Sequence, residues 1–383
     1  MKRTLHSFYI CLLFALCTAS CIEPYNPPAI AEAENYLVVE GFINSGTEPS
    51  TFYLSRTRTQ ADTNNLIPEI GATVYVEGEQ GDRYDFSEQN DGQYNSVPLN
   101  LTFNARYRLH IRTRTNKEYI SDYVALKATP AIDTLTWAVM NDGIQIYVDT
   151  HDPENDTRYY RWDYEETWQY NSAYYSNFEF VSKDSSMATR EDQIFICYKS
   201  EKSSEILINS SVRLAQDVIY RNPIIFTPAL SGKLTYKYSV LVKQYALSQD
   251  AFNYWQILQK NTESTGSIFD AQPSQLKGNI TCVTNPEEPV IGFVTASTLQ
   301  QKRLFIEGRT LPFPFIEVGY TNCDMDTIPN IKKNLSDTFA NGALLPVFSI
   351  AGPLGITAYT FSYQNCVDCR AKGGTTQKPV FWQ

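Results

Sequence analysis

Arg106-Tyr107-Arg108-Leu109-His110-Ile111-Arg112 puts Tyr107, Leu109 and Ile111 on one side of an extended chain and Arg106, Arg108, His110 and Arg112 on the other. Side chains alternate across a strand with a period of two, so this stretch reads as a strand with one buried and one wet face. Working outwards, the same alternation recurs in 37–43, 51–55, 72–77, 83–86 and 92–95, and again in 119–126. Short strands at this spacing, separated by polar turns, predict a small β-sandwich over 36–128.

Ala128-Thr129-Pro130-Ala131 reads as a junction. Beyond it, 132–139 and 143–149 alternate again around the turn Asn141-Asp142-Gly143. An aromatic strand follows at Tyr159-Tyr160-Arg161-Trp162-Asp163-Tyr164, and further strands are expected at 194–198, 234–242, 290–296 and 303–307. A second sandwich of immunoglobulin or fibronectin-III type over 129–320 is the expectation, with 170–190 as a Tyr/Ser/Asn-rich excursion. It carries a helical insertion near 248–264: Ser248 caps it, Asp250 suits its first turn, Phe252, Trp255 and Leu258 follow at three-residue steps, and Gly266 ends it. Trp255 is read there as a core anchor. A second short helix is expected at 330–340, within a Cys-containing C-terminal segment, 321–383, packed on the second domain.

The N-terminus sets the compartment. Lys2 and Arg3, an apolar run from Phe8 to Leu16, and Thr18-Ala19-Ser20 before Cys21 follow the order of a lipoprotein signal peptide, 1–20. The mature chain then begins at Cys21 carrying acyl chains, palmitate among them, with 21–35 as a proline-containing tether. The apolar run falls short of the roughly 20 residues that span a bilayer. Acyl burial, at about 0.8 kcal/mol per CH₂, supplies the attachment instead. The expected location is the outer membrane, lipid-anchored, with surface exposure favoured by Glu23 close behind the cysteine.

The net charge of −10 becomes about −12 once Lys2 and Arg3 leave. Such a surface repels phosphates, which argues against a nucleic-acid partner. Hydrophobic residues at 43% and aromatic ones at 13% support full cores. Tyr favours strands, so most of the 26 tyrosines are expected to be structural. Tyr174, Tyr175, Phe178 and Phe180, in the excursion, are candidates for an aromatic ligand platform.

Outside the signal and the lipid site the cysteines are Cys197, Cys282, Cys323, Cys366 and Cys369, an odd number. At most two disulfides form and one thiol stays free. Cys366-Val367-Asp368-Cys369 lacks the strand-to-helix setting of a redox pair. A four-sulfur zinc site using Cys282 and Cys323 competes with disulfides, which an oxidising compartment favours. Cys323 bonded to Cys366 or to Cys369, stapling the tail to the body, is the expectation.

Little else carries chemistry. After cleavage the histidines are His110 and His151, in different domains and beside no evident nucleophile. Nucleotide, zinc-protease and serine-hydrolase motifs are missing from the sequence. The acidic loop 149–156 departs from EF-hand spacing and reads as a solvated turn. No enzyme activity, cofactor or metal is expected, although a facing carboxylate pair escapes sequence inspection.

These residues, taken together, resemble the family labelled domain of unknown function 4249, envelope lipoproteins of the Bacteroidota. The resemblance rests on Leu37-Val38-Val39-Glu40-Gly41, Gly71-Ala72-Thr73-Val74, Tyr159-Tyr160-Arg161-Trp162 and Glu166-Thr167-Trp168. It continues through Gln244-Tyr245-Ala246-Leu247-Ser248, Tyr254-Trp255, Ile268 to Ser274, Gly278-Asn279-Ile280, Lys302-Arg303 and the tail Cys366-x-x-Cys369-Arg370 with Gly373-Gly374. It implies a lipoprotein often encoded beside a TonB-dependent receptor, and it supplies no catalytic residues. The first domain also resembles transthyretin-like sandwiches, a likeness of fold alone. The expected function is a non-enzymatic accessory of such a receptor, by ligand capture or docking. The competing expectation is a stand-alone surface lipoprotein that binds a glycan or peptide.

Overall fold

A computed structural model describes residues 35–57, 67–263, 276–313, 319–320 and 322–382. The signal segment, Cys21, Gly266 and the stretch 268–274 lie outside the described residues. The fold is mainly β, with several sheets, few helices and two disulfides near the C-terminus.

The first unit forms where alternation is strongest. Leu37–Asn44 pairs with Pro49–Arg56, which pairs in turn with Gln93–Pro98. Arg106–Arg112 pairs with Thr73–Gly78 and with Glu118–Ser121. Leu37, Phe52 and Tyr94 from the first strand group meet Val74, Tyr107, Leu109 and Tyr119 from the second in one core. Ala296–Ser297 pairs with both groups and joins them.

That pairing corrects the expected boundary. Residues 280–297, assigned from sequence to the second domain, complete the first. Ile280–Cys282 pairs with Glu118–Ser121, and Val290–Ile291 pairs in parallel with Leu37–Asn44. Glycine permits the return: a Cβ on Gly292 would sit 2.3 Å from the Val39 carbonyl oxygen, and one on Gly278 would sit 1.8 Å from the Gly292 oxygen. Glu288 then clamps the returning segment. Its carboxylate accepts from Lys117 Nζ at 2.6 Å and the Tyr119 hydroxyl at 2.6 Å, with Arg56 at 3.5 Å. Burial opposes its charge, but these donors prevail and hold its pKa below the usual carboxylate range.

In the second unit, Ile132–Met140, Gly143–Asp152 and Asp217–Pro228 form one sheet. Ile196–Lys202, Tyr159–Asn171, Lys237–Ala246 and Gln300–Glu307 form the other. Ile144, Ile146 and Val148 pack between them against Tyr160, Trp162, Tyr238 and Val240. The helix Gln249–Glu263 follows directly, with the Ser248 Oγ accepting from the Ala251 N–H at 3.2 Å as a cap.

The C-terminal module is a sheet of Asp326–Pro329, Gly355–Tyr363 and Leu344–Gly352, covered by the helix Lys332–Phe339. The supposed excursion contributes the hairpin Phe178–Val181/Ser186–Thr189, which packs here. The disulfides Cys197–Cys369 and Cys323–Cys366 tie the module to the second unit and close it on itself. Cys282 is a buried free thiol in the first core. Of the two partners left open for Cys323, the structure takes Cys366.

Candidate functional site

The two sandwiches meet along a cleft of about 750 Å³, within the range of ligand sites. Its walls come from several separated stretches. The strand Leu37–Asn44 supplies Glu40 and Phe42, Tyr159–Asn171 supplies Arg161 and Asp163, Lys237–Ala246 supplies Tyr245, and the helix supplies Tyr254 and Trp255. Gly41 lets the strands close up here, since a Cβ on it would meet the Thr51 carbonyl oxygen at 2.3 Å. Phe42 sets its ring edge-on to Tyr245 at 4.8 Å, and Tyr254 packs on Phe293 at 5.2 Å, so aromatic contacts bridge the two units.

Arg161 organises the floor. Its guanidinium lies 4.3 Å from the Trp255 ring centroid and 4.9 Å from that of Tyr245. Asp163 accepts from it twice, at 2.6 and 3.3 Å. Burial disfavours the Arg161 charge, and the adjacent Asp163 carboxylate outweighs that, raising the pKa. Burial also pushes the Tyr254 phenol up to about 12, against a hydrogen bond from the Gly292 backbone. The helix is held in place by Gln259, whose side chain donates to the Ile206 carbonyl at 2.7 Å.

One group on this wall lacks a partner. Among the described residues, the buried Trp255 Nε1–H meets no hydrogen-bond acceptor. A buried N–H without an acceptor costs about 1–3 kcal/mol. Trp255 is thus a half-buried wall residue, and its neighbour Tyr254, 5% exposed, is the anchor in the core. The correction follows from the helix pointing its Tyr254 side at the sandwich and its Trp255 side along Arg161.

The residues singled out from sequence are dispersed. Tyr174 packs beside Ile194 and Val347, and its hydroxyl donates to the Cys323 carbonyl. Phe178 and Phe180 meet Tyr359 and Phe339 at 5.2 and 5.9 Å inside the C-terminal module. Tyr175 alone of the four is exposed. They form no shared platform, because the hairpin turns Phe178 and Phe180 inwards. A smaller recess of about 180 Å³ beside Trp168 and Tyr320 has its rings already covered, by Lys233 at 4.5 Å and Lys372 at 3.2 Å.

His110 stacks on Tyr75 at 4.5 Å and pairs with Glu77 at 2.7 Å on the outer face of the first unit. His151 pairs with Asp133 at 2.8 Å in the open. The acidic loop closes on itself: Asp152 accepts from the backbone of Glu154, Asp156 and Thr157. Among the described residues, no three His, Cys, Asp or Glu side chains are grouped to hold a metal ion.

A family model described as "Domain of unknown function (DUF4249)" matches residues 22–303. A search of curated proteins matches nothing. Among solved structures, the chain is similar to one described as manganese lipoxygenase of Gaeumannomyces graminis with partial zonadhesin of Komagataella pastoris. That likeness has 10% identity, covers 57% of this chain and 91% of the other, and has a TM-score of 0.13. Another, a biofilm-associated protein BSP domain, is 8% identical, covers 71% of this chain and 59% of the other, and has a TM-score of 0.15.

Proposed function

The chain belongs to the DUF4249 family, and from that premise we propose that it is a non-enzymatic lipoprotein, anchored through Cys21 in the outer membrane and facing outwards, that serves a TonB-dependent receptor by holding ligand in the cleft between its sandwiches. The observation that carries the reading is the cleft itself. Glu40 and Gly41, Arg161, Tyr245, and Tyr254 with Trp255 belong to four sequence stretches that carry the family resemblance, and they gather around one cleft.

The wall suits an extended polar ligand, a peptide or glycan. Such a ligand brings polar groups for the rim and flat or aliphatic groups for the half-buried Phe42, Trp255 and Phe293 rings. Rim charges of both signs, Glu40, Glu48 and Glu205 against Lys202 and Lys243, orient a ligand without demanding a net charge.

Two measurements test the reading. Radiolabelled palmitate incorporated into the wild type and absent from Cys21→Ala is the expected result for the anchor. Receptor recovered with the chain from detergent-solubilised outer membrane is the expected result for the partnership. Unlabelled wild type removes the anchor, and a pull-down free of any TonB-dependent receptor removes the partnership.

A further inference from the structure

The hairpin formed by Leu344–Gly352 and Gly355–Tyr363 projects from the C-terminal module, and its sequence, LLPVFSIAGPLGITAYTFSY, contains no charged residue. Its base is packed: Val347 and Tyr359 are buried. Its end is open. Phe348 and Ile350 on one strand are 41% and 40% exposed, Ile356 on the other is 39% exposed, and Leu354 in the turn is fully exposed. The neighbouring strand Asp326–Pro329 pairs as far as Ala358, and Asn330 just after it reaches Thr357 and Ile356, so only the residues from Ile350 to Gly355 stand clear.

Three features choose among what might cover this tip. First, apolar side chains emerge from both strands and from the turn, so immersion buries all of them, whereas a flat partner surface buries one side. Second, the tip's backbone bonds are closed across the hairpin, Ile350 facing Ala358, Ala351 facing Ile356 and Gly352 facing Gly355. The outward-facing backbone groups of both strands stay open, so the tip suits the hydrated headgroup boundary and not the hydrocarbon core.

Third, cations stand beside it. Asn330 is bonded to Ile356 and Thr357, and the helix that starts two residues later opens with Lys332 and Lys333, both exposed. Leu335 and Phe339 of that helix pack on Tyr359, at the base, so its lysine end is the end nearest the tip. Asp337 lies beyond the lysines and Asp326 at the far end of the sheet. In a chain of net charge −10, an uncharged apolar tip collared by two lysines has the makeup of an interfacial anchor. Exposed lysines beside such a tip are attracted to anionic headgroups.

We propose that the 348–357 hairpin tip inserts into the headgroup–acyl boundary of a lipid bilayer, with Lys332 and Lys333 on its anionic headgroups. The contact is a second point of attachment, independent of Cys21 and of the cleft. It orients the body, because one lipid and one hairpin together fix a tilt that a tether alone leaves free.

The test uses the full chain reconstituted with vesicles and an environment-sensitive nitrobenzoxadiazole label on Leu354→Cys. The control label is on Val380→Cys, an equally exposed apolar position on the tail. The expected result is a blue-shifted emission at 354 that nitroxide-labelled acyl chains quench, with neither effect at 380. Adding Ile350→Asp reduces that quenching about fivefold. Lys332→Glu with Lys333→Glu reduces it on phosphatidylglycerol vesicles and leaves it unchanged on phosphatidylcholine. Emission at 354 that stays that of water overturns the proposal. So does a label that is shielded from aqueous iodide yet unquenched by the lipid nitroxides, which identifies a protein, a second copy included, as the occupant.

Discussion

Around Phe52 and Leu109 the first sandwich buries twenty apolar residues in one core and keeps Cys282 there as a free thiol. Around Val347 and Leu335 the C-terminal module buries three residues in each of two clusters and carries both disulfides. Core size explains the difference. A small module removes too little apolar surface from water to offset its conformational entropy, and a covalent bridge makes up the deficit. The first unit has no such deficit, so its cysteine packs as a small apolar side chain.

The largest break in that comparison comes from the bridges. Replacing Cys197, Cys369, Cys323 and Cys366 by Ala should destabilise the C-terminal module by about 5 kcal/mol, at the upper end for lost disulfides. Amide exchange should accelerate across 344–363 and stay slow across 106–112. Equal acceleration in both would mean that the units unfold together. Next comes Leu109→Ala, 1% exposed before substitution, which should cost the first sandwich about 3 kcal/mol through transfer and cavity terms. Calorimetry or denaturant melts followed by exchange would then show the reverse pattern, the hairpin remaining protected.

Glu288→Gln is the intermediate case, at about 2 kcal/mol near pH 7, because it weakens charged hydrogen bonds from Lys117 and Tyr119. Its sign with pH follows from a folded pKa that lies below the unfolded value. The stabilisation is complete above the unfolded carboxylate pKa of about 4.3 and is lost as pH falls through the folded one. The wild-type first unit should therefore weaken below about pH 5, and the variant should lose less of its remaining stability over the same window. A variant with the same acid slope as the wild type would remove Glu288 from the account. Cys282→Ala should be smallest, about 1 kcal/mol, since it deletes one buried sulfur and no bridge.

The same two regions differ in how far their sequences could be read. Arg106–Arg112 announces its strand because water lies on one side and core on the other. The hairpin 344–363 shows no alternation, since its base is packed and its tip presents apolar groups on both strands, so the period of two has nothing to mark. The returning strands at 280–297 belong to the first unit and not, as local patterning suggests, to the second. They are two or three residues long and pair with partners about 160 or more positions away, which no local pattern encodes. Spacing did reveal the helix at Trp255, and the odd cysteine count did point to one free thiol. Which face of the helix met the core depended on Arg161, ninety-four positions earlier. The cleft stayed invisible because each wall strand reads as ordinary sheet, and the helix as an ordinary helix, until all are brought together.

The claim that the cleft is the working surface, apart from the stapled module, is tested most directly by one pull-down on three chains. Wild type, Arg161→Ala with Trp255→Ala, and Leu354→Asp are recovered from detergent-solubilised outer membrane at matched amounts, and co-purified receptor and bound ligand are quantified. The account predicts that the cleft variant, still folded by amide exchange, loses most of the bound material while Leu354→Asp keeps it. A folded cleft variant that retains wild-type amounts, or a wild type that brings down nothing, would contradict it.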